Sequence, residues 1–140
     1  MKLLVSACLL GVNCKHSGGN NYCPGLAALA ANHTLIPVCP EQLGGLPTPR
    51  IPAERKGEKV LTAQGKDVTA SYEKGAQEVL ALARTLDVDG AILKARSPSC
   101  GCGVIYDGSF THKPVQGDGV TAALLKKEGY RVWTELDLEE

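Results

Sequence analysis

Leu3-Leu4-Val5-Ser6-Ala7 is a short, nearly continuous apolar run with no alternation of apolar and polar positions. A strand of that composition reads as one covered on both faces of a parallel sheet. The rest of the chain can supply the cover. Thr34-Leu35-Ile36-Pro37-Val38, Ala91-Ile92-Leu93 and Arg131-Val132-Trp133 read as three further strands. Pro37 has no N–H to give to a ladder, so the second strand is an edge or bulged one. Between strands, Pro24 opens a short helix that carries Leu26, Leu29 and Ala30 and stops near Asn32. Thr69 can cap the clearest helix, whose Tyr72, Ala76, Val79, Leu80, Ala83 and Leu86 fall on one face at 3.6-residue spacing and which ends before Asp87. Asp118 can cap a last helix through Val120, Ala123 and Leu124 to Gly129. The proline-rich stretch from Pro40 to Pro52, with Gly44-Gly45 inside it, is expected to be a shaped loop, neither helix nor ladder strand. Lys59–Val68 predicts a small hairpin around Gln64-Gly65-Lys66, and Val104–Val115 a second around Asp107-Gly108. This pattern predicts one α/β domain over residues 1–140. It is Rossmann-like, with a largely parallel sheet of about four strands, helices on both faces and small β-hairpin insertions.

Composition narrows the function classes. At 140 residues a domain buries about 68–70% of its unfolded surface without disulfide staples. Apolar residues at 44% and charged residues at 21% rule out intrinsic disorder. Fifteen basic residues balance fifteen acidic ones, and only six residues are Phe, Trp or Tyr. Such a chain has neither the field nor the stacking surface for a nucleic-acid polymer, although a single nucleotide fits. Met1–Cys8 superficially resembles a lipoprotein signal, but five residues between Lys2 and Cys8 fall short of the roughly 7–15 of a signal core. No later run approaches the ~18 apolar residues of a membrane span. The expected setting is the cytoplasm, with no membrane partner and with thiols reduced.

Six cysteines are the compositional oddity, too few for a disulfide scaffold and unneeded as staples at this length. In open α/β sheets, ligands bind outside the carboxyl ends of the strands. Cys8 ends the first strand, Cys39 ends the second and Cys100 follows the third, so these three thiols should meet on one rim. Any one of them alone would be equally well explained as a small core residue. Three thiolates leave one metal position open, which is the mark of a catalytic centre. His16, His33 and His112 lack metal-ligand spacing to a cysteine, Cys14 and Cys23 are spare, and Cys102 is a bystander because Cys100-x-Cys102 is too close-set for a metal knuckle. Glu41, two residues past Cys39, is a candidate for proton transfer. Ser97 and Ser99 could donate hydrogen bonds, and Arg50, Lys94 and Arg96 could take a phosphate or carboxylate. Gly44-Gly45 could offer backbone amides to an anion.

Five segments together carry a resemblance: Val5-Ser6-Ala7-Cys8-Leu9-Leu10-Gly11, Pro37-Val38-Cys39-Pro40-Glu41, Leu43-Gly44-Gly45-Leu46-Pro47-Thr48-Pro49-Arg50, Leu93-Lys94-Ala95-Arg96-Ser97-Pro98-Ser99-Cys100-Gly101, and Gly117-Asp118-Gly119-Val120-Thr121-Ala122. The chain resembles the TudS-type thiouracil desulfidase family from Leu3 to about Trp133, in its short single-domain form. The resemblance implies an oxygen-sensitive [4Fe–4S] cluster on Cys8, Cys39 and Cys100, with Cys14 as the alternative to Cys8. It also implies removal of sulfur, as hydrogen sulfide and without net redox change, from a thiolated uracil base, nucleoside or nucleotide. Water would attack the polarised C=S carbon with help from Glu41, and Ser97, or alternatively Ser99, would assist. Arg50, Lys94 or Arg96 would take a nucleotide phosphate. Two rival readings stand beside it: a non-catalytic zinc-binding module, and a sulfurtransferase or thiol redox enzyme with Cys100 as nucleophile.

Overall fold

A computed structural model describes residues 1–139. In chain order its elements are β1 (Lys2–Ser6), α1 (Pro24–Ala27), β2 (Thr34–Val38), α2 (Pro40–Leu43), β3 (Ala53–Lys56), β4 (Lys59–Thr62), α3 (Thr69–Leu86), β5 (Gly90–Leu93), β6 (Val104–Tyr106), β7 (Pro114–Gln116), α4 (Val120–Lys127) and β8 (Arg131–Thr134). Short 3-10 turns follow β1 (Ala7–Leu10), α1 (Ala28–Ala31) and β8 (Glu135–Glu139).

The main sheet has the order β2-β1-β5-β8, and every neighbouring pair in it is parallel. Pro37 lies opposite Val5 on the edge strand β2, where its missing N–H has no second neighbour to serve. The apolar run of β1 is divided between the two faces. Leu4 packs with Ala91 and Leu93 against Val79, Leu80 and Ala83 of α3 and Ala122 and Leu125 of α4. Leu3 and Val5 turn the other way, onto Leu9, Leu26 and Ile92. Burying each such leucine contributes about 1.5–3 kcal/mol, and a strand with both faces buried admits a polar side chain only where it finds a partner, as Ser6 does at the strand's end by accepting the Lys94 amide.

Four local expectations are corrected. The segment after Cys39 is not all loop: Pro40–Leu43 forms one helical turn, α2, because proline's fixed φ suits the first helical position and Cys39 is extended before it. Its backbone lies directly on α3. A Cβ on Gly44 would sit 2.0 Å from the Ser71 carbonyl oxygen, and one on Gly75 2.0 Å from that of Pro40. The first hairpin pairs β3 with β4 around Gly57, with Lys56 opposite Lys59, whereas Gly65 turns only a single further bridge between Leu61 and Asp67. The charge-rich Ala53-Glu54-Arg55-Lys56 hides β3 from an apolar-alternation reading. Thr69 does not cap α3, since its hydroxyl accepts the Val60 amide while Asp67 accepts the Thr69 amide. Asp118 likewise does not cap α4. The first amides of α4 are taken by the Pro98 and Ser99 carbonyls, which frees Asp118 to bind the Gly103 amide and Lys126. The second hairpin, β6 with β7, forms, with Tyr106 opposite Pro114 and the connection running over residues 107–113 rather than turning at Asp107-Gly108.

The chain leaves β1 for β2 on one side and later enters β5 on the other, so the strand order reverses between β1 and β5. The crevice above the carboxyl ends at such a switch point is where α/β sheets place their ligands. Among the described residues, no helix is long and apolar enough to cross a membrane.

Candidate metal centre

A cavity of about 750 Å³ opens at that crevice, and its wall includes Cys8, Cys14, Cys39 and Cys100. Cys8 sits in the 3-10 turn after β1, which Gly11 closes at φ 94°, and its sulfur accepts the Asn21 side-chain amide at 3.4 Å. Cys39 precedes α2, and its thiol points at the Cys14 carbonyl oxygen at 3.8 Å. Cys100 is buried in the loop after β5, which is wound by the Ser97 hydroxyl oxygen accepting the Ser99 and Cys100 amides at 3.1 and 3.0 Å. That loop rests on the start of α4 so closely that a Cβ on Gly119 would lie 2.4 Å from the Ser99 carbonyl. Three strand ends thus bring together the three cysteines singled out from the sequence.

Burial pushes all of these thiols up. Cys8 and Cys39 are raised mainly by desolvation and further by the nearby Glu41. Cys100 is raised well above the ordinary value by its complete burial, with the Ser6 and Ser99 hydroxyls pulling the other way. Cys14 is pushed up to about 12 by desolvation and then by the neighbouring Cys39 and Cys8. Thiols of this kind ionise when a cation takes the place of their protons. Among the described residues, no three His, Cys, Asp or Glu side chains are gathered tightly enough to hold a single metal ion. The thiols instead ring a cavity, a donor set that fits a cluster of several metal atoms better than one zinc ion. Cys23 and Cys102 are not on this wall, and the Cys102 thiol donates to the Val132 carbonyl.

Glu41 and Arg50 form a charge-assisted pair at 2.9 Å, with side chains 16% and 8% exposed. Arg50 is held further by the Thr48 hydroxyl and the Pro47 carbonyl. The second carboxyl oxygen, Oε1, is buried and has no hydrogen-bond partner among the described residues. Desolvation raises the Glu41 pKa against the pull of Arg50 and of the Ser99 hydroxyl. Lys94 is paired with Glu135 at 3.0 Å, whereas Arg96, exposed on the rim at φ 66°, makes no ion pair among the described residues. Ser97 lies on the cavity wall. Ser99 is fully buried off it and bonded to the Thr121 hydroxyl at 2.8 Å.

Several wall residues escaped the sequence reading. Ser6 accepts the Lys94 amide at 2.8 Å and faces Cys100, and Asn21 serves Cys8. Tyr106 at the end of β6 and Phe110 from the β6–β7 loop also reach the cavity, as does His112, which the sequence offered only as a metal ligand. A Ser at the end of an apolar strand is the one signal the sequence carries for them, since Asn21, Phe110 and His112 lie in loops without periodicity and Tyr106 ends a strand of only three residues.

Comparison with known proteins agrees with this architecture. A solved structure described as the [4Fe-4S]-dependent thiouracil desulfidase TudS superposes with a TM-score of 0.92 and 45% identity, covering 99% of this chain and 93% of that one. The uncharacterized protein YbbK of Bacillus subtilis (strain 168) is 43% identical over 148 residues, 99% of this chain and 98% of that protein. The sequence model of the family described as 2-thiouracil desulfurase matches residues 3–137. With a match of that extent over the sheet, the cysteine loops and α4 alike, the chain belongs to the 2-thiouracil desulfurase family.

Proposed function

We propose that this chain is a [4Fe–4S]-dependent desulfidase that converts a thiocarbonyl of a thiolated uracil base, nucleoside or nucleotide to a carbonyl and releases hydrogen sulfide. The observation that carries the reading is the meeting of Cys8, Cys39 and Cys100 from three strand ends around one cavity beside the orphaned Glu41 Oε1. Cys8, Cys39 and Cys100 are the residues that would hold the cluster. Bound by three thiolates, it supplies a Lewis-acidic iron with a free position for a soft sulfur ligand.

The remaining work falls to the chain. Overall, water and the thiocarbonyl become carbonyl and hydrogen sulfide, so two protons move from oxygen to sulfur and no electrons are exchanged. Glu41, raised by burial yet held in place by Arg50, is suited to take a proton from water and return it to sulfur. The Ser97 oxygen already accepts two amides, and its hydroxyl proton remains to be given to the substrate. Ser99, engaged with Thr121, is assigned to the loop's support. Arg50 and Lys94 are committed to carboxylates, so Arg96 is the cation assigned to a nucleotide phosphate. Cys100 as a free nucleophile fits less well, because a fully buried thiol with a strongly raised pKa is a poor source of thiolate. The reducing cytoplasm is the compartment that suits such a cluster, and salvage of thiolated nucleotides the role.

Anaerobic purification or reconstitution, with iron and sulfide assays, a visible spectrum and turnover of a thiouracil derivative, tests this reading. About four iron and four sulfide per chain are expected. Cys8→Ser, Cys39→Ser and Cys100→Ser should each lose them, and a chain that takes up no iron after reconstitution would overturn the assignment.

A further inference from the structure

Aromatic residues are scarce in this chain, yet three of its six Phe, Trp and Tyr residues, Tyr72, Tyr106 and the sole Phe, Phe110, lie on the wall of the cysteine-lined cavity, together with His112. Tyr72 belongs to the core cluster under β4, whereas Tyr106, Phe110 and His112 pack into none of the three core clusters. The loop that carries Phe110 and His112 is held at some conformational cost. Phe110 and His112 both have φ of 60°, a left-handed conformation that residues with a Cβ rarely adopt and that recurs at functional sites.

What holds the loop in place is a residue far away in sequence. Glu54 on β3, 7% exposed, accepts both the Gly108 and the Phe110 amides on one carboxyl oxygen, each at 3.1 Å. Gly108 lies against β3 so closely that a Cβ there would be 2.9 Å from that of Lys56. Inside the loop, Asp107 accepts the Ser109 amide at 2.9 Å, and the His112 ring lies 5.0 Å from that of Tyr106 at a 50° tilt. An apolar ring kept out of the core, on a strained backbone clamped by a buried carboxylate, is preorganised for a ligand.

We propose that Phe110, with Tyr106 and His112 beside it, is the wall on which the planar, uncharged pyrimidine ring stacks, and that Glu54 is the positioning residue that fixes this wall. The inference rests on the desulfidase reading for the identity of the ring. It adds a binding surface that recognises the ring's face, independently of sulfur. Stacking on an aromatic side chain is tolerant of ring substituents, so the oxo product should use the same wall as the thio substrate.

The test uses cluster-loaded protein and the variants Phe110→Ala, Phe110→Tyr, Glu54→Ala and Glu54→Gln. Iron content and visible spectrum should match the parent in all four. Phe110→Ala should raise KM for a thiouracil substrate about ten- to hundredfold with kcat changed less than about threefold, the range expected for one stacking contact. Binding of the sulfur-free probes uracil and uridine monophosphate, measured by calorimetry, should weaken by the same factor, and Phe110→Tyr should restore it. Glu54→Ala should reproduce the KM effect, Glu54→Gln should largely retain binding because its amide oxygen still accepts, and the Glu54→Ala/Phe110→Ala double variant should be no worse than Phe110→Ala. Unchanged KM and probe affinity in Phe110→Ala overturn the wall, and additive losses in the double variant overturn the positioning role. If Glu54→Ala does not fold, Glu54→Gln and the Phe110 pair still decide. A parent that holds its cluster and binds uridine monophosphate but turns over no thiouracil would sink the desulfidase reading while leaving the wall standing. A parent that binds neither probe at millimolar concentration sinks the wall itself.

Discussion

Glu41 has one oxygen on Arg50 and the other buried, with no hydrogen-bond partner among the described residues. A neutral amide of the same shape can keep the Arg50 contact but cannot carry a proton between water and sulfur. Glu41→Gln should therefore retain iron, sulfide and spectrum while turnover falls by about a hundredfold or more; full activity would remove Glu41 from the chemistry. The thiols make a second prediction at this scale. Burial raises the pKa values of Cys8, Cys39 and Cys100 in the unloaded chain, so near neutral pH they carry protons. Holding metal requires thiolates, which makes the proton a product of loading, and a rise in pH must favour uptake. Proton release into weak buffer on reconstitution should be measurable, and uptake should strengthen from pH 7 toward pH 9. A flat pH response would show that the thiols were already ionised.

The element that decides most is the shortest. The turn α2 follows Cys39 directly and carries Glu41, and it is fixed by backbone contact with α3 at Gly44 and Gly75, where neither helix has room for a Cβ. Gly75→Ala should cost about 3 kcal/mol, at the upper end of ordinary overpacking because the obstacle is a backbone carbonyl. Iron content after reconstitution should fall with it. Gly25→Ala is the matched control: a Cβ on Gly25, within α1, meets nothing within 4 Å, and removing glycine's freedom from the unfolded chain should leave stability unchanged or raise it by about 0.4–1 kcal/mol. Thermal midpoints of the two variants check both signs. The glycines themselves are plain in the sequence, but their partners are not, since the contact joins residues about thirty positions apart.

Over the whole molecule, Cys8, Cys39 and Cys100 lie beyond the carboxyl ends of β1, β2 and β5, which come from distant parts of the chain. A group bound across all three stabilises the folded state by mass action, since the unfolded chain cannot present the same donors together. Cluster-loaded protein should melt several degrees above the chelator-stripped chain, and Cys8→Ser should erase the difference. Much of this architecture is written locally. Strands β1, β2, β5 and β8, the helix α3, the edge position of Pro37 and the cysteines at strand ends all follow from apolar periodicity and turn residues, which act over a few positions. Partners of polar groups are another matter. The Arg50–Glu41 pair, the Lys94–Glu135 pair, the capture of the α4 amides by the Pro98 and Ser99 carbonyls, and the clamp of Glu54 on Gly108 and Phe110 depend on which loops the folded sheet brings within hydrogen-bonding distance of one another. Burial periodicity is a local property, so the two-faced parallel sheet and the place of Cys8, Cys39 and Cys100 at its rim are legible in the sequence, whereas Cys14, taken there as spare, reaches the same cavity wall only through the fold. Which charges are already paired, which serine faces the cavity and which aromatic rings wall it emerge from the folded chain alone, because a hydrogen bond is satisfied by whatever partner lies nearest in space, however far away in the chain.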